Sequence, residues 1–255
     1  MPPPLPATPP GPAVRLTNVT KTFGAHTAVD QLSLAVPRGC TYGFIGPNGS
    51  GKTTTIRTIL HIFHPDSGEV EVLGERSTRA ANDRIGYLPE ERGLYKKMTV
   101  RRVLAYYAAL KGMTRAATAQ ASTHWLAKMG LSEWADKKVE ALSKGMAQKI
   151  QFISAVIAKP ELLILDEPFS GLDPVNLEVL RAAILELRAA GTTVIFSTHD
   201  MAMAETMCDF IFMIYRGRKV LDGTLADIQR QFGEDTVRVS CAGGAELLRG
   251  LPDVE

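Results

Sequence analysis

The sequence predicts an α/β protein: a mixed core sheet with helical cover, an antiparallel β segment and an inserted α-helical subdomain. Three observations predict it. Short apolar strands alternate with helical stretches after about residue 160, the pattern of a parallel sheet. Two stretches before residue 40 alternate apolar with polar residues, as half-buried antiparallel strands do. Between them a block at about 99–158 is helical throughout and breaks the alternation. A length of 255 residues with 45% hydrophobic content provides for one large domain or two small ones. The same content excludes disorder for the bulk of the chain.

The elements follow in order. Seven of the 15 prolines lie in Met1–Ala13, which can neither pair in a sheet nor continue a helix, so residues 1–13 read as an extended tail. Val14 and Leu16, then Leu32, Leu34 and Val36, alternate with polar neighbours up to the turn Pro37-Arg38-Gly39. These are the strands of the antiparallel segment. Cys40–Ile45 is a short apolar strand running into a Gly-rich turn, and Lys52–Phe63 reads as a helix. The turn Pro65-Asp66-Ser67-Gly68 introduces a strand at Glu69–Leu73. Val100, Val103, Leu104, Tyr107 and Leu110 recur at helical spacing, and further helices are expected at Thr118–Met129 and Glu133–Ala141. Ser143 caps another that runs to about Ala158, so the helical subdomain spans about 95–158. Strand Leu162–Leu165, helix Pro174–Ala190, strand Thr193–Ser197, a helix around Ala202–Met207 and strand Phe210–Tyr215 complete the alternation.

Charge and cysteine usage narrow the classes. A balance of 29 basic against 27 acidic residues gives no global push toward nucleic acid. Cys40, Cys208 and Cys241 are too scattered for a disulfide framework or a CxxC metal site, which places the chain in a reduced, cytosolic compartment. The sequence shows no secretory signal and no stretch of the roughly 18 apolar residues a spanning helix needs.

Gly46-Pro47-Asn48-Gly49-Ser50-Gly51-Lys52-Thr53 matches GxxxxGK[ST] in full, between an expected strand and an expected helix. Those flanks distinguish a P-loop from a chance Gly-rich turn. Gly46, Gly49 and Gly51 let the backbone wrap a phosphate with its N–H groups inward, and the helix adds its positive end. Lys52 reaches the β and γ phosphates, and the Thr53 hydroxyl can ligate Mg²⁺. Leu162-Leu163-Ile164-Leu165-Asp166-Glu167 is an apolar strand ending in two acids. Beside a P-loop, Asp166 is placed to hold Mg²⁺ through its water, and Glu167 to polarise a water for in-line attack on the γ-phosphate.

With these two elements the sequence resembles the nucleotide-binding subunits of ATP-binding cassette (ABC) transporters. Four more elements appear in that family's order. Leu142-Ser143-Lys144-Gly145-Met146 is similar to the LSGGQ signature, and Ser170-Gly171-Leu172-Asp173 to the D-loop. Ser197-Thr198-His199 is similar to the switch-histidine segment, and Gly86-Tyr87-Leu88-Pro89-Glu90 takes the place of the Q-loop. Phe23 sits where an aromatic stacks on adenine. The resemblance covers about residues 14–232 and implies a P-loop NTPase fold of the ABC type, with ATP and Mg²⁺ as its ligands.

The resemblance also implies roles. ATP is held by Phe23 and by Gly46, Pro47, Asn48, Gly49, Ser50, Gly51, Lys52, Thr53 and Thr54. Thr53, Glu90 and Asp166 serve the metal, while Glu167 and His199 are catalytic, His199 holding the geometry of the attacking water. Ser143, Lys144, Gly145 and Met146 close on the ATP of a second subunit, and Asp173 helps set the interface. The implied partners are a second copy in a homodimer, or a similar ATPase subunit in a heterodimer, and integral membrane permease subunits; no nucleic acid is implied. The implied location is cytoplasmic, peripheral on the inner face of the cell membrane. The signature has a physical rationale as well. Ser143 at a helix start beside Gly145 offers a hydroxyl, backbone donors and a positive dipole end, an anion site without an obvious second phosphate in its own chain.

Departures from the family pattern are informative. Glu90 stands in place of Gln, which puts a carboxylate, a good hard ligand, where an amide carbonyl normally approaches Mg²⁺. Lys144 and Met146 stand in place of Gly and Gln. The runs Tyr87–Tyr95 and Leu142–Lys149 resemble the ABC-2-type efflux branch that includes sodium-export ATPases, which implies an ATPase powering export. That branch carries a further C-terminal domain. Val237, Val239 and Cys241 alternate like its first strand, so 233–255 reads as the start of an accessory domain, apparently incomplete. Arg92, Lys96, Lys97, Arg101 and Arg102 make the region after Glu90 basic, as a docking surface or as a solvated helix start. Two other classes remain to be separated. A soluble ABC ATPase acting on ribosomes or nucleic acid would usually carry two cassettes or long heptad insertions. A P-loop kinase would need neither the signature nor His199.

Overall fold

Nine strands among the described residues of the computed structural model (11–76, 81–91 and 93–232) form two sheets. The smaller is antiparallel, with β1 (Val14–Phe23) between β2 (His26–Val36) and β4 (Ser67–Val72). Val14 faces Val36 on one side and Val72 on the other, and Leu16 faces Leu34 and Val70. All six are buried, so the alternation in the sequence becomes one apolar face.

The larger sheet has the order β5-β6-β7-β3-β8-β9. Its strands are β3 (Thr41–Ile45), β5 (Ile85–Leu88), β6 (Leu162–Asp166), β7 (Thr193–Thr198), β8 (Phe210–Tyr215) and β9 (Arg218–Thr224). All pairs are parallel except β8–β9. Every residue of β3, β6 and β7 is buried, which explains why they read as continuous apolar runs rather than as alternation. Successive side chains nevertheless serve opposite cores. Leu162, Ile164 and Ile195 pack with the antiparallel sheet and with Ile56 and Ile59 of α1 (Lys52–Ile59). Leu163, Leu165 and Phe196 pack with the helices on the other face. These are α2 (Val100–Leu110), α3 (Arg115–Lys128), α4 (Lys144–Val156) and α5 (Pro174–Ala189). Two further helices, α6 (Met201–Met207) and α7 (Leu225–Phe232), flank β8 and β9 in sequence.

The helix starts follow local chemistry. Thr99, Thr114, Ser143, Asp173 and Asp200 each cap a helix by accepting a backbone N–H three residues on. Pro174 stands at the first turn of α5, where its missing N–H costs nothing.

The structure departs from the expected elements in three places. Helix α1 ends at Ile59 instead of Phe63, because His61 takes the left-handed conformation (φ 53°) that stops a helix. The helix expected at Glu133–Ala141 is instead two short 3₁₀ turns, Ser132–Trp134 and Val139–Ala141. Its backbone is drawn into tertiary bonds: Lys137 and Ala135 carbonyls accept from the N–H groups of Val100 and Arg101 at 3.0 and 2.8 Å. They thereby satisfy donors at the start of α2 that its own helix leaves orphaned. Strands β5 and β9 and helix α7 are too short or too polar to stand out in the sequence. The Pro-rich stretch up to residue 10, Arg92 and the alternation at Thr236–Cys241 lie outside the described residues.

Packing around β3 makes a chemical prediction. Burial, reinforced by the neighbouring Asp209 carboxylate, pushes the thiols of Cys40 and Cys208 up to about 12. In a Cys241→Ser background at pH 8, alkylation of the folded protein by iodoacetamide is expected to be about 10³-fold slower than in urea, following the thiolate fraction. Equal rates in the two states would contradict this packing.

Candidate functional site

The site is built at the carboxyl ends of the parallel strands, where the central β3 passes into Gly46–Gly51 and α1. The loop is wedged between two backbones. A Cβ on Gly46 would lie 2.3 Å from the Ile214 carbonyl oxygen, and one on Gly51 (φ 111°) 2.5 Å from that of Ala28. The Gly217 N–H, in the β8–β9 turn, donates to the Ser50 carbonyl at 2.8 Å. Only glycine fits at these approaches. Lys52 is 6% exposed, and its Nζ donates to the Gly46 and Pro47 carbonyls at 2.6 and 3.2 Å. The same ammonium lies 3.9 Å from Glu167 Oε1.

The acids are set by β6 and its neighbour β7. Asp166 pairs with Ser197 in the ladder and is fully buried. Its Oδ1 accepts from Ser197 Oγ at 2.5 Å and from Thr53 Oγ1 at 3.4 Å. Its Oδ2 has no hydrogen-bond partner among the described residues. A buried carboxylate with an orphaned oxygen is costly unless a cation or a strong donor meets it. The oxygen donors Thr53 and Asp166 suit a hard divalent cation such as Mg²⁺, which typically takes one or two carboxylates and completes its shell with water and substrate phosphates. The described residues contain no group of three or more His, Cys, Asp and Glu that could hold a metal ion. The Asp166 charge also reaches Tyr87 on β5, whose hydroxyl is pushed up by burial first and by Asp166 second.

Glu167 turns out of the strand with a left-handed backbone (φ 49°), a conformation costing a non-glycine residue about 1 kcal/mol. Its N–H donates to Ser197 Oγ at 3.0 Å, which holds the turn. Its carboxylate then meets His199, with Nδ1 at 3.1 Å from Oε1.

A cavity of about 500 Å³ unites these groups. It is lined by Phe23, Asn48 to Thr54, Glu90, Glu167 and His199. Phe23, at the end of β1, has one edge against Phe63 (ring centroids 5.2 Å apart) and remains 44% exposed. Gly46 and Pro47 line an adjoining recess with His199, and Asp166 is buried beside Thr53.

Ser143, Lys144, Gly145, Met146 and Asp173 are not among the residues lining this cavity. Ser143 and Lys144 are exposed at the start of α4, and Ser143 Oγ accepts the Met146 N–H at 3.2 Å. Gly145 is buried against α5, where a Cβ would lie 3.2 Å from Asn176 Nδ2. Asp173 caps α5, and hydrogen bonds from the Asn176 backbone and side chain hold its carboxyl below the usual range. The starts of α4 and α5 therefore form one surface. Sequence reasoning did not single out the Ser197 hydroxyl, because only strand pairing aims it at Asp166. It also passed over His26, which lines the cavity together with Ser170 of the D-loop segment.

Fold and cavity together define a nucleotide-binding P-loop protein. The family model described as ABC transporter matches residues 29–170. A second, described as AAA domain, putative AbiEii toxin, Type IV TA system, matches 138–204. The ABC transporter ATP-binding protein YhaQ of Bacillus subtilis is 47% identical over 224 residues, 88% of this chain and 75% of that protein. The Nod factor export ATP-binding protein I of Sinorhizobium fredii is 36% identical, over 92% of this chain and 70% of that protein. The linearmycin resistance ATP-binding protein LnrL of Bacillus subtilis is 35% identical, over 86% and 72%. A solved structure, the ATP binding subunit of an ABC transporter, superposes with a TM-score of 0.81 at 32% identity, over 87% of this chain and 93% of that one. The chain belongs to the ABC transporter family and is an ATP-binding subunit of such a transporter.

Removing the Ser197 hydroxyl tests the geometry. Ser197→Ala leaves Asp166 Oδ1 and the Glu167 N–H each short of a partner. It is expected to lower stability by about 1–3 kcal/mol in nucleotide-free urea titrations. Ser197→Thr, which keeps the hydroxyl, is expected to lose less.

Proposed function

We propose that this subunit hydrolyses ATP as the motor of an exporter. Two copies, or one copy and a similar subunit, pack head to tail around two ATP, and their closing and opening drives a separate membrane permease. The observation that carries this reading is the division of the site. The cavity holds phosphate-binding and acidic groups on one side, while the exposed helix start at Ser143, with its hydroxyl and backbone donors, has no phosphate site of its own. A second copy in opposite orientation supplies one to each.

Within the cavity the roles follow from position. Lys52 exchanges its bonds to the neutral Gly46 and Pro47 carbonyls for bonds to anionic phosphate oxygens, so that both donor and acceptor carry charge. Phe23 offers its exposed face to the base. Thr53, Asp166 and Glu90 hold the Mg²⁺; when bound, the ion neutralises charge developing on the β and γ phosphates. Glu167 orients the attacking water and accepts its proton, and His199, in contact with Glu167, keeps that carboxylate and the γ-phosphate in register. Asp173 and the D-loop form part of the interface between the copies.

No helix among the described residues is long and apolar enough to cross a membrane, and we assign the transport path to permease subunits, with this chain on their cytoplasmic face. The export direction is supported by relatives named for Nod factor export and linearmycin resistance. We assign the motor to residues 14–232, with a helical subdomain at about 95–158.

Two variants test the reading. Glu167→Gln is expected to bind ATP and to accumulate as a dimer in size-exclusion chromatography, with hydrolysis reduced by about 10²-fold or more; near-normal turnover would overturn the assignment. Ser143→Ala is expected to lower hydrolysis while leaving ATP affinity at low protein concentration unchanged.

A further inference from the structure

Glu90 lies in a stretch with no strand partners. Strand β5 ends at Leu88, and the carbonyls on either side of Glu90 need donors from elsewhere. One side chain meets that need. Gln151, on α4 and 5% exposed, donates through Nε2 to the carbonyls of Pro89 at 3.3 Å and Glu91 at 3.1 Å. The two bonds straddle Glu90. Three residues earlier on the same helix, Gln148 (3% exposed) donates to the Pro168 carbonyl at 3.1 Å, in the loop just after Glu167. Residues three apart share a helix face, so α4 straps both acidic loops from one side. The strap is short and stiff. A Cβ on Gly86 of β5 would lie 2.3 Å from the Ala155 carbonyl of α4, so strand and helix are in direct backbone contact.

We propose that Gln151 is a positioning residue that fixes Glu90 for the metal of bound ATP. The inference rests on the placement of Glu90 at Mg²⁺ proposed above. A flexible loop would present the carboxylate in many orientations, and the energy of ordering it would be lost from metal binding. Anchored on both sides, Glu90 keeps its place in the wall of the cavity that Thr53 and Glu167 also line. An Nε2 that donates to carbonyls on both sides of a single residue restricts that residue more than one bond to its side chain would.

The test is equilibrium binding of adenylyl imidodiphosphate to the full chain at low protein concentration, in EDTA and across a Mg²⁺ series. Gln151→Met keeps length and removes both donors; Gln151→Asn keeps the amide and shortens its reach, and replaces the first variant if that one is unstable. Affinity in EDTA is expected to stay within about 2-fold of the unaltered protein, while the Mg²⁺ concentration giving half of the metal-dependent gain rises about 10-fold, the scale on which residues supporting metal ligands act. In a Glu90→Ala background the Gln151 change is expected to shift that midpoint no further. An unchanged midpoint, an equal loss in EDTA and in Mg²⁺, or shifts that add in the double variant would overturn the inference and leave the proposed function standing. An unchanged midpoint in Glu90→Ala itself would overturn both the placement of Glu90 at the metal and the role of Gln151.

Discussion

A carboxylate with no exposure to water, one oxygen held by Ser197 and Thr53 and the other without a partner among the described residues, organises this molecule. Its charge is tolerable only at a strand end where hydroxyl donors converge and where a ligand enters. The apolar strand β6 carries it there, and the neighbouring β7 brings Ser197 level with it. The same hydroxyl takes the N–H of Glu167, so the buried carboxylate and the one that faces the cavity are positioned by one side chain. Lys52, its ammonium 3.9 Å from Glu167 Oε1, is held inside the loop by two carbonyls.

The helices add a second organising element. On one side of the parallel strands, α1 completes the P-loop and shares its core with the antiparallel sheet that carries Phe23. On the other, α4 and α5 start close together, with Gly145 tight against Asn176 and Asp173 capping α5 beside it. Further along α4, two buried glutamines bind the loops that follow β5 and β6. The helix whose start bears Ser143 is thus mechanically joined to the segments bearing Glu90 and Glu167.

Much of the fold was legible because its strands have strong local signatures. β3, β6 and β7 read as uninterrupted apolar runs since both of their faces are covered, and β1 and β2 alternate because only one of theirs is. The cap read from the sequence, Ser143, stands where a side-chain oxygen takes one of the first free N–H groups of α4. The segment Glu133–Ala141 misled for the opposite reason. Its composition favours a helix, but the start of α2 takes its carbonyls. The four residues of β5 and the polar β9 acquire strand geometry only from neighbours distant in sequence.

The sequence by itself determined the P-loop, the acid pair at the end of β6 and the chemistry both imply, because each is a short motif whose geometry follows from local backbone freedom and strand termination. Tertiary structure decided what surrounds them. Ser197 faces Asp166 through a strand pairing that spans some thirty residues, and Gln151 reaches Pro89 and Glu91 across some sixty. Glu90 joins the cavity while Ser143 is not among the residues that line it, although both belong to motifs read in the chain. Packing, not local propensity, sets the relative placement of segments that far apart, since only burial of two shared cores fixes how β5, α4 and β7 come together.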